Sequence, residues 1–329
     1  MRLRDWAGRI GAALAATLLA GAAEAQDRLT FVTSWRAQAE QGGYYQALEK
    51  GFYRACGINL VIRQGGPAID PVQLLVGGAV DIALSSVSEA TFHMQNAGFE
   101  ARAVFAAFQR TPQILMAHPD SGIRSFEDMR GRPIMIAGSA RNAYWPFLRS
   151  RYGFTDSQIR NYTGQMAVFL SDPNAIQQGL VTNEPYQATQ ALGRPPRVFM
   201  IADSGYLTYG SVVVVPQALI ERRPDLVQCF VTASVRGWTD YLADPAVGFA
   251  AVARENPQNT PEIMRNAFDS LRAANIVETE ETRARTIGTM TDARWRAHHE
   301  ALVKEGIIPA SVDWRRGYTL RFLERASGS

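Results

Sequence analysis

The sequence predicts an α/β protein built as two lobes with a cleft between them. From Leu29 onward, short apolar runs alternate with helical patterns, as in a largely parallel sheet covered on both faces. A second strand-and-helix region starts near Pro112, and from Pro216 helical patterns dominate. No Gly/Ser-rich linker separates the regions, so the expected join is a pair of crossing strands that act as a hinge. Residues 26–112 and 217–329 are expected to form a discontinuous first lobe and residues 113–216 the second. Composition agrees with a folded globular chain: 329 residues, 47% hydrophobic and 20% charged. The formal charge of +3 is too small and too scattered to imply nucleic acid.

Residues 1–25 read as a secretory leader. Arg2, Arg4 and Arg9 precede the apolar run Ile10 to Ala20, and Ala23-Glu24-Ala25 places small residues before a cleavage site after Ala25. The run is about eleven residues, short of the roughly twenty that span a bilayer. The mature chain, starting at Gln26, is expected to be exported and soluble. Cys56 and Cys229 could pair in an oxidising compartment. Sequence cannot give their distance, and two separate buried thiols are the expectation.

Along the mature chain, Leu29 to Val32 reads as a strand. Gln41 to Ala55 reads as a helix, with Tyr44, Leu48 and Phe52 on one face. A strand over Asn59 to Arg63 ends at the turn Gly65-Gly66-Pro67. A short helix from Pro71 to Val76 is closed by Gly77-Gly78. A strand over Asp81 to Leu84, a helix over Ser88 to Asn96 and a strand over Ala103 to Phe108 complete this part. The second region offers strands at Ile114 to Ala117 and Pro133 to Ala137, then a helix over Arg141 to Arg151. Strand-like runs follow at Ala167 to Leu170, Val198 to Ala202 and Ser211 to Val215, the last apolar enough to be buried on both faces. The tail predicts helices at Pro224 to Leu242, Pro245 to Arg254, Pro261 to Ala274, Asp292 to Lys304 and Gly317 to Arg325. Several begin at or near a proline, where a missing amide proton costs least.

Catalytic signatures do not emerge. The chain has no phosphate loop and no nucleophile elbow. Two cysteines and four histidines leave little for metal or nucleophilic chemistry. Adjacent residues on a helix diverge by about 100°, so His298 and His299 read as exposed helix residues rather than a chelate. His93 and His118 are isolated and read as packed or surface side chains. No catalytic residue, metal or cofactor is expected.

Candidate binding residues cluster instead after strands, where open α/β sheets take their ligands. Trp35 and Gln38 follow the first strand, with Tyr44 and Tyr45 at the next helix start. Ser85 and Ser86 follow the third strand. Ser139, Asn142 and Tyr144 follow a strand of the second region, and Glu184, Tyr186 and Asp203 sit in comparable places. Aromatic rings there offer flat apolar faces to a ring-shaped ligand. Arg36, Arg110 and Arg141 could instead hold a small oxyanion.

Several segments in order resemble one family. They are Thr33-Ser34-Trp35, Gly42-Gly43-Tyr44-Tyr45, Lys50-Gly51-Phe52-Tyr53, Gly65-Gly66-Pro67, Gly78-Ala79-Val80-Asp81-Ile82, Phe126-Glu127-Asp128-Met129 and Glu184-Pro185. The chain resembles periplasmic solute-binding proteins of ABC importers, in the thiamine pyrimidine synthase-like branch beside the taurine, sulfonate and nitrate binders. The resemblance covers most of residues 28 to 215. It implies a type II-like two-lobed fold in the periplasm, a small-molecule ligand, an inner-membrane ABC permease as partner and a monomeric binding protein. Trp35, Tyr44 and Glu184 match in position and type; Tyr45, Ser86, Tyr144 and Asp203 match more loosely. The implied ligand is a pyrimidine-like thiamine precursor, with a sulfonate, nitrate or aromatic acid as the alternative. The synthases of this group carry a cysteine-rich motif that this chain lacks, which disfavours synthase activity.

Overall fold

The structure, a computed structural model, describes residues 26–66, 69–141 and 143–326. The leader over residues 1–25, Pro67 of the predicted turn and the candidate Asn142 lie outside the described residues.

The strands, in chain order, are β1 (Asp27–Val32), β2 (Ile58–Arg63), β3 (Ile82–Ser85), β4 (Ala101–Phe108), β5 (Gln113–Ala117), β6 (Ile134–Ile136), β7 (Ile159–Asn161), β8 (Ile176–Leu180), β9 (Arg197–Met200) and β10 (Gly210–Pro216). They form two mixed five-stranded sheets, ordered β2-β1-β3-β10-β4 and β7-β6-β8-β5-β9. In the first, β1 runs parallel to β2 and β3, while β10 runs antiparallel to both β3 and β4. In the second, β6 is parallel to β7 and β8, and β5 is antiparallel to β8 and β9. The chain therefore passes between sheets twice, once after β4 and once between β9 and β10. This is a two-lobed periplasmic binding protein architecture.

The assignment of residues 113–216 to the second lobe needs correction at its end. β10 lies inside the first sheet, so the return crossing comes before Gly210 rather than at Pro216. Val212 to Val215 are wholly buried, as a strand flanked and covered on all sides requires. The predicted strand over Ala167 to Leu170 is also corrected: Ala167–Ser171 is a short helix that buries Phe169 and exposes Val168. A four-residue apolar run carries no usable period. The neighbouring strand β8 reads IQQGL, too polar to stand out in sequence, although Gln177 is fully buried.

The long helix Pro224–Ala243 crosses the helix Gly42–Glu49 at very close range. Side chains at Gly42 and Gly43 would overlap the rings of Tyr241 and Trp238, and one at Gly237 would meet Ala47 and the Gly43 carbonyl. This packing carries Cys229 over the short 3-10 turn Arg54–Cys56. The Cα atoms of Cys56 and Cys229 stand 5.8 Å apart and the pair forms a disulfide, contrary to the two separate thiols expected. His298 also departs from expectation. It is buried on the helix Asp292–Lys304, with its Nε2 3.0 Å from Glu89 Oε2, while Nε2 of half-buried His299 lies 2.8 Å from the Val312 carbonyl. No helix of the described residues is long and apolar enough to cross a membrane.

Two stability outcomes follow from this packing. Replacing both cysteines by serine is expected to cost about 2–4 kcal/mol, read from denaturant unfolding; an unchanged midpoint would contradict the tie. Gly43→Ala is expected to cost about 1–3 kcal/mol, read by calorimetry, because buried Trp238 has no room to retreat; an unshifted melting temperature would contradict the close contact.

Candidate functional site

The carboxyl ends of β1 and β3, and the segments after β6 and β8, open on one cleft of about 1180 Å³. Six of the sequence candidates line it: Trp35, Gln38, Ser85, Ser86, Tyr144 and Glu184. Trp35 is half-buried; its carbonyl accepts from Thr33 Oγ1 at 2.6 Å and from the Gly65 amide at 3.2 Å. Ser85 closes a tight turn, its Oγ donating to the Val87 carbonyl at 2.8 Å. From the second sheet, Tyr144 begins the helix Tyr144–Tyr152 and its hydroxyl lies 3.5 Å from Gln178 Oε1. That same oxygen accepts from the Ala137 amide at 2.6 Å, so Gln178 of β8 fixes both the β6 end and the tyrosine.

Glu184 is the most tightly held of these groups. Its Oε1 accepts from the Tyr162 hydroxyl at 2.9 Å and its Oε2 from the Leu180 amide at 2.7 Å. A side chain at Gly179 would collide with it, so the glycine lets the carboxyl lie against β8. Burial raises its pKa above the ordinary carboxylate value, partly offset by those two hydrogen bonds. Burial also raises the Tyr144 hydroxyl, with the Glu184 charge adding to the effect.

The other candidates lie elsewhere. Tyr44 is fully buried beneath the first sheet, its ring edge-on to Phe31 at 5.1 Å and to Trp238 at 5.7 Å. Tyr45 points into a separate cluster with Ala251, Val252 and Met264. Neither lines the cleft, although the buried Tyr44 hydroxyl lies beside Ser211, which does. Tyr186 donates to Glu262, and exposed Asp203 pairs with Arg110 at 2.6 Å. The backbone of Ser139 lies in the helix Gly138–Arg141. Of the three arginines considered, Arg141 lines the cleft; Arg36 and Arg110 do not.

The sequence reading missed Glu40, Gln113, Phe108, Tyr162, Gln178 and Ser211, all of which line the cleft. Ser211 stands out by its backbone. It is a buried, non-glycine residue with φ of 47°, in the left-handed region. Such strain persists where surrounding structure dictates it, commonly at binding sites. Among the described residues no group of three or more His, Cys, Asp or Glu could together hold a metal ion.

The chain matches the family described as NMT1/THI5 like over residues 38–247. It is similar to the riboflavin-binding protein RibY of Chloroflexus aurantiacus, 26% identical over 327 residues, covering 95% of this chain and 92% of that protein. It is also similar to the 4-amino-5-hydroxymethyl-2-methylpyrimidine phosphate synthase of Schizosaccharomyces pombe, 21% identical over 256 residues, 74% of each. Among solved structures, the alkanesulfonate-binding protein SsuA of Xanthomonas axonopodis pv. citri, bound to MOPS, aligns with a TM-score of 0.65 at 12% identity, covering 89% of this chain and 98% of that one. The periplasmic aliphatic sulphonate-binding protein SsuA of Escherichia coli aligns with a TM-score of 0.64 at 16% identity, covering 89% and 92%. The structural likenesses carry the fold.

Relieving the left-handed backbone at Ser211 with Ser211→Gly is expected to raise stability by about 1 kcal/mol, visible as a higher melting temperature. A lower one would show that the hydroxyl, and not the backbone, governs the position.

Proposed function

The chain belongs to the NMT1/THI5-like family, and from that premise we propose that it is the exported binding component of an ABC importer, capturing a flat nitrogen heteroaromatic in the cleft and releasing it unchanged to a permease. The observation that carries this reading is the cleft wall. Half-buried Trp35 and buried Phe108 and Tyr144 line one space, the first two contributed from the first sheet and Tyr144 from the second. Ligand contacts to both lobes favour a closed form by their differential affinity, which gives a permease a state to recognise.

The name of RibY supports a heterocycle larger than a single ring, and the cleft volume suits one. The synthase relatives support a pyrimidine. The SsuA structures support a sulfonate as the second reading, for which Arg141 is the cation at hand. Buried Glu184 weighs against it, because an oxyanion in the same space would meet a carboxyl group. Against the enzyme alternative, Ser85 gives its proton to the Val87 carbonyl rather than to a base.

Isothermal titration with riboflavin, 4-amino-5-hydroxymethyl-2-methylpyrimidine and MOPS tests the reading. At least one heteroaromatic is expected to bind and remain unaltered, with MOPS weaker; binding of MOPS alone, or turnover of the bound compound, would overturn it. Trp35→Ala is expected to weaken the bound heteroaromatic by about tenfold or more, as loss of a stacking face and its buried area implies. Tyr45→Phe, outside the cleft, is expected to leave the dissociation constant unchanged. Equal effects of the two substitutions would place the ligand elsewhere.

A further inference from the structure

We propose that Glu40 is a specificity-determining residue of the cleft, and that it selects ligands presenting an N–H donor on the edge of the heteroaromatic ring. This deepens the heteroaromatic reading above and rests on it. Glu40 sits on the 3-10 turn Ala39–Gln41, just after Trp35 and Gln38, and its side chain lines the cleft although it is only 3% exposed. Its Oε1 accepts from the hydroxyl of Thr182, which follows β8 of the other sheet and is wholly buried. One carboxyl oxygen is thus committed to a bond between the lobes.

Glu40 Oε2 is different. It is buried and has no hydrogen-bond partner. A buried carboxyl oxygen without a donor is costly, so its persistence calls for a group that donates to it. Glu184 offers the contrast within the same cleft, because both of its oxygens are taken by protein donors. The oxygens of Gln38 and Gln113, two other lining residues, are also buried without partners. An amide can present its nitrogen instead by turning over, whereas an ionised carboxyl offers only acceptors. The surplus at this end of the cleft is therefore of acceptors, fixed by Glu40.

Charge points the same way. Burial raises the pKa of Glu40, offset in part by the Thr182 hydroxyl and its own main-chain amide, and Glu40 in turn raises Glu184. An added negative charge would raise both groups further, whereas an N–H donor, including a protonated ring nitrogen, favours the ionised, acceptor form of Glu40. An N–H edge placed at Glu40 also reports to the other lobe through Thr182, so recognition and lobe contact share one side chain.

The test uses the full mature protein and two pairs of probes. These are 4-amino-5-hydroxymethyl-2-methylpyrimidine with its 4-dimethylamino counterpart, and riboflavin with 3-methylriboflavin. Wild-type protein is expected to bind the N–H member of at least one pair ten times more tightly than the methylated member. In Glu40→Gln one oxygen remains for Thr182 and an NH2 group replaces Oε2. Affinity for the N–H probe is expected to fall at least tenfold, the methylated probe to be little changed and the melting temperature to be retained. If Glu40→Gln keeps wild-type affinity and discrimination, the proposal is overturned while the heteroaromatic reading stands. If the variant is unstable, the wild-type comparison decides: equal affinities within both pairs overturn the proposal. Binding of neither pair by wild-type protein overturns both readings.

Discussion

Strand β10 enters the first sheet antiparallel between β3 and β4, and the rest of the architecture depends on that placement. A strand paired on both edges and covered on both faces must be apolar throughout, and the run Val212 to Val215 meets that demand. Because β10 arrives from the second sheet, its pairing fixes where the chain returns. Because β4 leaves for the second sheet from the neighbouring position, both crossings are held side by side. The end of β10 that begins at Gly210 meets Phe108, so strained Ser211 is set at the cleft with Ser85 and Ser86 close by. Fold and site are thus consequences of one pairing.

The chain covers that sheet with a close helix contact made possible by glycine. Gly42, Gly43 and Gly237 remove the side chains that would hold the helices Gly42–Glu49 and Pro224–Ala243 apart. The same approach seats Tyr44 in the core and brings Cys229 to Cys56. The cleft residues Gln38, Glu40 and Gln41 directly precede this seam, so their placement depends on it. The cleft groups are held by hydrogen bonds anchored in strands: Gln178 orients Tyr144, and the Leu180 amide holds Glu184. Side chains positioned this way need little ordering when a ligand arrives, which favours affinity.

Much of this was legible in the sequence. Apolar runs bounded by glycine, proline or serine located β1 to β6, and proline-led patterns located the helices of the tail. The rule that ligands gather beyond strand ends found Trp35, Ser85, Ser86, Tyr144 and Glu184 as cleft residues. Direction within an element was harder to read. Tyr44 and Tyr45 are neighbours at a helix start, and only tertiary packing shows that neither lines the cleft. β8 was hidden because its glutamines are polar yet buried. The Cys56–Cys229 pair and the His298–Glu89 contact join positions far apart in sequence, which local pattern cannot foresee. Glu40 left a faint signal, a polar run with Gln38 and Gln41 between Trp35 and a helix; its unpartnered oxygen exists only in three dimensions.

The proposed function is capture of a flat nitrogen heteroaromatic in the cleft, with no chemistry performed on it. Native mass spectrometry of the mature protein, isolated from the exported fraction of its own cells, tests that claim most directly. The predicted result is a one-to-one complex whose released ligand is an intact nitrogen heteroaromatic. Release of a sulfonate or another small oxyanion, or of a compound altered by incubation with the protein, would contradict it.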